Sequence, residues 1–239
     1  MNYKAKGKMD IANDNMDSEN FVAFLTDALS NANDVMKEGA AFYVWHADTQ
    51  RANFCRATDN IGWTIREVLV WVKNSLVLGR QDYQWRHEPC LYGWKEGASH
   101  YFVPRRDLTT VMEDIEKVED VNAMKKDEMK KLLLRIMALP STILYEDKPK
   151  KNADHPTMKP LKLMGRLIEN STKPKDVVLD IFGGSGSTMM AAEQLGRRCY
   201  MVEYEPIYID VICRRFEELT GKKAEYIGNI KQIQYDTAE

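Results

Sequence analysis

Cysteine is scarce in this 239-residue chain: Cys55, Cys90, Cys199 and Cys213 stand far apart, with no Cys-x-x-Cys pair. That spacing suggests neither a disulfide framework nor a zinc site, and the expectation is reduced, mostly buried thiols. Charge of one sign is lacking too. With 34 Lys+Arg against 36 Asp+Glu the formal net charge is −2, so any nucleic-acid face must come from local clustering of Lys and Arg. There is no basic start followed by an apolar run, and no stretch near the roughly 18–20 apolar residues that span a bilayer. The expected setting is cytoplasmic. Internal repeats and low-complexity tracts are absent. What is present, at 44% hydrophobic residues, is enough apolar material for a substantial core.

Residues 1–16 are polar and read as a loop. From Asp17 or Ser18 as N-cap, the spacing predicts a helix that carries Phe21, Phe24, Leu25, Leu29, Ala32 and Met36 on one face and stops at Gly39. A buried strand (40–47), a short helix ending at Gly62 and a second strand (64–74) follow, and "EPCLYGW" (88–94) is a further strand candidate. Residues 113–138 are dominated by charge and include a helix ended by Pro140. After a basic linker, the pattern is helix (158–171), strand (176–182), helix (187–195), strand (198–205) and helix (206–221). Alternating strands and helices imply an α/β fold with a mostly parallel sheet covered on both faces.

The stretch "LDIFGGSGSTMMAAEQLG" (179–196) runs from strand through a glycine turn into a helix. Gly183, Gly184 and Gly186 let the backbone turn sharply and approach a ligand at the next helix's N-terminus. No Gly-Lys-Ser/Thr follows, which excludes a P-loop, and Met189 stands where the dinucleotide fingerprint wants its last small residue. Asp180, a fixed negative charge before the turn, is unwelcome beside a pyrophosphate but suits the cationic amino acid end of S-adenosylmethionine. Glu203 ends the next strand, near the distance at which α/β folds place an acid on ribose hydroxyls; it also fits a plain acidic residue at an exposed strand end.

"HPTMKP" (155–160), then "DIFGGSGST" and "VEYEP", resembles the C-terminal half of the DNA amino-methyltransferases of the permuted class, ordered catalytic motif, recognition region, cofactor motif. "FYVWHADT" (42–49) and residues 71–100 resemble the middle of bacterial and phage adenine-specific members, so the resemblance covers nearly the whole chain. It implies a Rossmann-like methyltransferase fold with S-adenosylmethionine as cofactor and DNA as partner. It places Phe182, Gly183, Gly184, Ser185 and Gly186 around the cofactor, Asp180 near its amino end, Glu203 at its ribose, and His155, Thr157 and Lys159 near its carboxylate. It divides the chain into core (1–103), recognition-region insertion (104–150) and cofactor-binding part of the same core (151–239).

One thing the family has is missing. Members methylate an exocyclic amine with Asp/Asn/Ser-Pro-Pro-Tyr/Phe, whose polar groups orient the amine while the aromatic ring stacks on the flipped base. No such tetrapeptide, and no Pro-Pro at all, occurs in these residues, so no catalytic residue is assigned. Met1-Asn2-Tyr3-Lys4 resembles the sequel of that motif. The favoured expectation is a start a few residues after it; the others are a second copy or separate chain that supplies the strand, or a non-catalytic relative that keeps cofactor or DNA binding. The absent strand belongs at the sheet centre, between the glycine-loop strand and strand 40–47.

Basic and aromatic residues interleave at Lys73, Arg80, Arg86, Lys95, Arg105 and Arg106 with Tyr83, Trp85, Tyr92, Trp94 and Tyr101. Cations on phosphates beside aromatics on bases suit entry of a flipped nucleotide, and Arg80, Arg86, Arg105 and Arg106 are the foremost DNA-contact candidates. Trp94 and Tyr92 fit a purely structural role as well. His87-Glu88 opens like a zinc-protease motif, but Leu91 stands where its second His belongs. His46 and Asp48 fall at the strand end where open α/β sheets bind ligands, or are ordinary loop residues.

Overall fold

The structure is a computed structural model and describes residues 16–77, 82–103, 126–127, 129, 143–145 and 158–227. Helix α1 (Ser18–Val35) starts where its cap chemistry dictates, with the Asp17 carboxylate accepting from the Asn20 amide at 3.0 Å. Its buried face carries Val22, Leu25, Leu29 and Ala32. Phe24, expected on that face, is 42% exposed and instead meets Phe182 of the glycine turn, with ring centroids 6.1 Å apart. At the other end Lys95 donates to the Asn33 and Met36 carbonyls and so satisfies the helix C-terminus.

Strand β1 (Ala41–Trp45), helix α2 (Arg51–Asn60), strand β2 (Ile65–Val77) and strand β3 (Trp85–Trp94) follow, and β4 (Ile143–Tyr145) completes a four-stranded sheet of order β1-β3-β2-β4. The strip 143–145, within the segment expected as an insertion, pairs parallel with β2. After it come α3 (Leu161–Ser171), β5 (Val177–Asp180), α4 (Ser187–Gln194), β6 (Arg198–Met201) and α5 (Pro206–Thr220); β5 and β6 form a separate parallel pair.

The α/β expectation holds, but the mostly parallel sheet needs correction among the described strands. Strand β3 runs antiparallel to both β1 and β2. The connection 78–84 explains this: a parallel return needs a crossover of about a dozen residues or more, whereas a short link forces a hairpin.

Helix α3 ties the two sheets together. Its Leu163 and Leu167 pack with Trp71 of β2 and with Tyr43 and Trp45 of β1, while Ile168 packs with Ala191, Ala192, Val178 and Cys199 around the β5–β6 pair. Tyr43 Oη adds a 2.6 Å hydrogen bond to Ser171 Oγ at the end of α3. Because side chains alternate along a strand, Phe42 faces the other way. It joins Leu25, Leu29, Ala57 and Trp63, stacked on Trp63 at 4.2 Å, and Ile181 just after β5 packs on this cluster. Strands β1 and β5 are therefore linked above and below by helices. Yet among the described residues β1 pairs only with β3, and β5 only with β6.

Coverage on both faces also fails for β5–β6. Val178 and Cys199 face α3 and α4, but Val177, Leu179 and Tyr200 on the opposite face, with Val202 just after, are 37–61% exposed. The cysteines are less uniformly buried than expected: only Cys90 is fully so, and the other three are half-buried. Burial pushes the Cys199 thiol up to about 12, and Cys90 higher still.

Candidate cofactor-loop site

After β5 the chain folds back on itself, with Gly186 N–H bonded to the Gly183 carbonyl at 2.8 Å, and α4 begins immediately. Gly183 is pinned by its amide to Val202 O at 2.9 Å, and a Cβ there would lie 2.6 Å from Met201 Cγ and Sδ. Gly186 sits at φ +78°, the left-handed region that L side chains rarely adopt, with Ile212 3.0 Å from a hypothetical Cβ. A side chain at Gly183 or Gly186 would displace its neighbours or strain the backbone, which is why the turn is built of glycine.

Glu203 organises the loop from the next strand. Its Oε2 accepts from the Gly184 amide at 2.6 Å and its Oε1 from Glu205 N–H at 2.9 Å. A carboxylate has about four acceptor sites, so two such bonds fix the group and leave capacity for two hydroxyl donors. Asp180 uses Oδ1 to accept from Phe182 N–H at 3.0 Å. Phe182 itself is 53% exposed beside the turn, a flat apolar surface at the rim. Ser185 is buried and its carbonyl accepts from the Arg215 guanidinium, so it shapes the loop from inside.

Lys159 joins this loop to the four-stranded sheet. Its carbonyl accepts from Ser187 Oγ at 2.9 Å, at the first residue of α4. Its ammonium lies 5.6 Å from the centroid of the Trp45 ring, at the carboxyl end of β1, and 3.7 Å from Glu88 Oε2 on β3. Glu88 binds the buried Lys73 ammonium more closely, at 2.6 Å. Two lysines thus share one acid, and the more exposed Lys159 is the less tightly held.

A protein-family model described as DNA methylase (N6_N4_Mtase) matches residues 2–214, most of the chain. The chain belongs to that DNA methylase family.

Among similar proteins, Type II methyltransferase M2.MboI of Moraxella bovis is 38% identical over 97 residues, 41% of this chain and 34% of that protein. DNA adenine methyltransferase YhdJ of Escherichia coli K12 is 24% identical over 216 residues, 89% of this chain and 72% of that protein. The matched part thus spans about a third of M2.MboI. Of solved structures, the M1.HpyAVI–SAM complex superposes with a TM-score of 0.61 at 21% identity, covering 84% of this chain and 85% of that one. The cytosine-N4-specific PvuII DNA methyltransferase gives 0.61 at 18%, covering 90% and 79%. These likenesses show a shared Rossmann-like fold.

In this chain Asp180, Phe182, Gly183, Gly184, Ser185, Gly186, Glu203 and Lys159 gather at one place. His155, Thr157, Arg80, Arg105 and Arg106 lie outside the described residues. Arg86 is exposed, its Nε donating to Lys73 O across the β2–β3 hairpin at 3.0 Å. The other basic and aromatic candidates divide sharply. Lys73 is buried in its ion pair and Lys95 caps α1, so neither is available to phosphates. Tyr92 stacks on Tyr43 in the core, and Trp94 stacks on His100 at 3.8 Å beneath Arg66, at the amino end of β1. Both rings are thus engaged in packing contacts within the fold. His46 is buried and stacked on Phe54. The sequence reading missed Glu88 as partner of Lys159; its spacing from position 159 carries no signal, because only the contact of α3 with the sheet brings them together.

Proposed function

We propose that this chain transfers a methyl group from S-adenosylmethionine to an exocyclic base amine of DNA, adenine N6, from a cytoplasmic setting. The observation that carries this reading is the Glu203–Gly184 clasp beside Gly183, a held carboxylate with capacity for further donors next to a glycine that has no room for a side chain. S-adenosylmethionine supplies an electrophilic methyl on a sulfonium centre when bound. Glu203 accepts from the ribose hydroxyls, Asp180 faces the cationic amino end, Lys159 with His155 and Thr157 holds the carboxylate, and Phe182 with Gly183, Gly184, Ser185 and Gly186 encloses the donor. Arg80, Arg86, Arg105 and Arg106 hold phosphates. Residues 104–150 serve as recognition region between the two parts of one core, 1–103 and 151–239.

The amine acceptor site is completed by an Asp-Pro-Pro-Tyr-type strand that enters between β1 and β5. The unpaired edges of those two strands among the described residues support this placement. The strand comes from a separate polypeptide, since no copy of this sequence carries the tetrapeptide. Absence of the tetrapeptide from the sequence also favours a second reading, a non-catalytic protein that binds cofactor and DNA.

Two measurements separate these. Calorimetry with S-adenosylmethionine should give saturable binding that Glu203→Gln weakens roughly tenfold, as expected for loss of charge-assisted hydrogen bonds. Labelled methyl transfer to DNA should be negligible for the chain alone and appear when a tetrapeptide-bearing segment is supplied. Cofactor and DNA binding with no transfer after that addition establishes the binding protein, and absence of cofactor binding rejects both.

A further inference from the structure

The β2–β3 hairpin is longer than the sheet needs. Strand β1 ends at Trp45 opposite Cys90, while β3 begins at Trp85, and β2 continues to Val77 opposite Trp85. Residues 85–88 therefore run roughly 13 Å past the end of β1 at about 3.3 Å per residue. The direction of this arm is set by Lys159. Its carbonyl is bonded at the start of α4, and its ammonium lies between Trp45 and Glu88, so the glycine loop and the root of the arm are at the same end of the molecule.

Near the tip stands Tyr83, 90% exposed. A tyrosine this uncovered buries almost nothing in the fold, so its ring is free to make contacts elsewhere. On the same arm Arg86 is exposed, and the Nε bond to the Lys73 carbonyl steadies its guanidinium across the hairpin. The arm thus presents a flat aromatic surface and a fixed positive charge beyond the cofactor loop. Phosphates and base faces match that pair of chemistries, the cation neutralising the backbone and the ring stacking on bases regardless of sequence.

We propose that Tyr83 is the arm's base-stacking contact with DNA, a positioning residue that holds the distorted duplex while the target nucleotide is out of the stack. This rests on the DNA methyltransferase reading above. Arg86 anchors the same arm on phosphate.

Titration of the full chain into a labelled mixed-sequence duplex, over a series of salt concentrations, tests it. Tyr83→Ala should weaken binding roughly tenfold, within the range of base–aromatic stacking, and leave the slope of log K against log salt unchanged. Tyr83→Phe and Tyr83→Trp should bind like the parent, because the ring and not the hydroxyl makes the contact. Arg86→Gln should instead lower the slope by about one, the signature of a lost phosphate contact. The S-adenosylmethionine affinity of Tyr83→Ala should equal that of the parent, which separates a local loss from a misfolded chain. Equal DNA affinity for Tyr83→Ala and parent overturns the assignment. So does a loss shared by Tyr83→Phe, or a change confined to self-association, which would give the ring to a second copy of the chain. A parent that binds S-adenosylmethionine but no DNA overturns the underlying reading as well.

Discussion

His46 illustrates how one side chain can be placed by sequence and redefined by its surroundings. It stands just after β1, where a ligand-facing residue is expected, yet it is 5% exposed, its Nδ1 lies 3.1 Å from the Ala47 carbonyl and its ring stacks on Phe54. Burial lowers its pKa below the ordinary 6.5, because the charged ring would lose its hydration. The native state therefore resists protonation more than the unfolded chain does. The resulting stability is complete above about pH 6.5 and declines as pH falls below it, where the unfolded state binds more protons. Urea unfolding at neutral pH and at about pH 5 should show a drop in midpoint on acidification that is smaller in His46→Phe, which keeps an aromatic ring against Phe54 and cannot titrate. An equal drop in both proteins would place the acid sensitivity elsewhere.

Among the elements, α3 has the widest structural effect. Leu163 is fully buried against Trp71 and packs toward Tyr43 and Trp45, while just past the helix Thr172 Oγ1 closes its end on the Ile168 carbonyl at 2.6 Å. Removing buried leucine atoms leaves a cavity that surrounding structure only partly fills, at a cost of about 2–5 kcal/mol. Leu163→Ala should fall in that range by denaturant unfolding. It should also weaken S-adenosylmethionine binding, because Lys159 enters the site two residues before this helix begins. Leu219→Ala on α5, at 40% exposure, should change both quantities far less. Comparable losses in the two variants would mean that α3 has no special role in joining the sheets.

For the whole molecule, the arrangement of β1 and β5 has a measurable consequence. Each has a strand partner on one side only among the described residues, although helices span from one to the other. Backbone amides that alternate with the paired ones should exchange with solvent much faster than their neighbours on the same strand, since unpaired donors must find water. Supplying a segment with the tetrapeptide should slow exchange in β1 and β5 together, and protect the open apolar face at Val177, Leu179, Tyr200 and Val202 if a helix arrives with the strand. Slow exchange at every β1 and β5 amide in the chain alone would mean that the gap is already filled.

Much of this was legible in the residues themselves. The helices at 18–35 and 206–220 were set by local rules: apolar spacing, an aspartate cap at one start, and Pro206 and Gly221 bounding the other. The glycine turn was legible for the same reason, since a strand, three glycines and an acid on the next strand are close in sequence and each follows from backbone geometry. Three matters needed the tertiary structure. The antiparallel course of β3 depended on pairing partners, the role of Glu88 on the packing of α3 across the sheet, and the division of aromatics into core and exposed on which end of β1 each one reached. All three are long-range contacts. A sequence states the chemistry of a side chain and its near neighbours, but burial and pairing are fixed only when distant segments meet and exclude water.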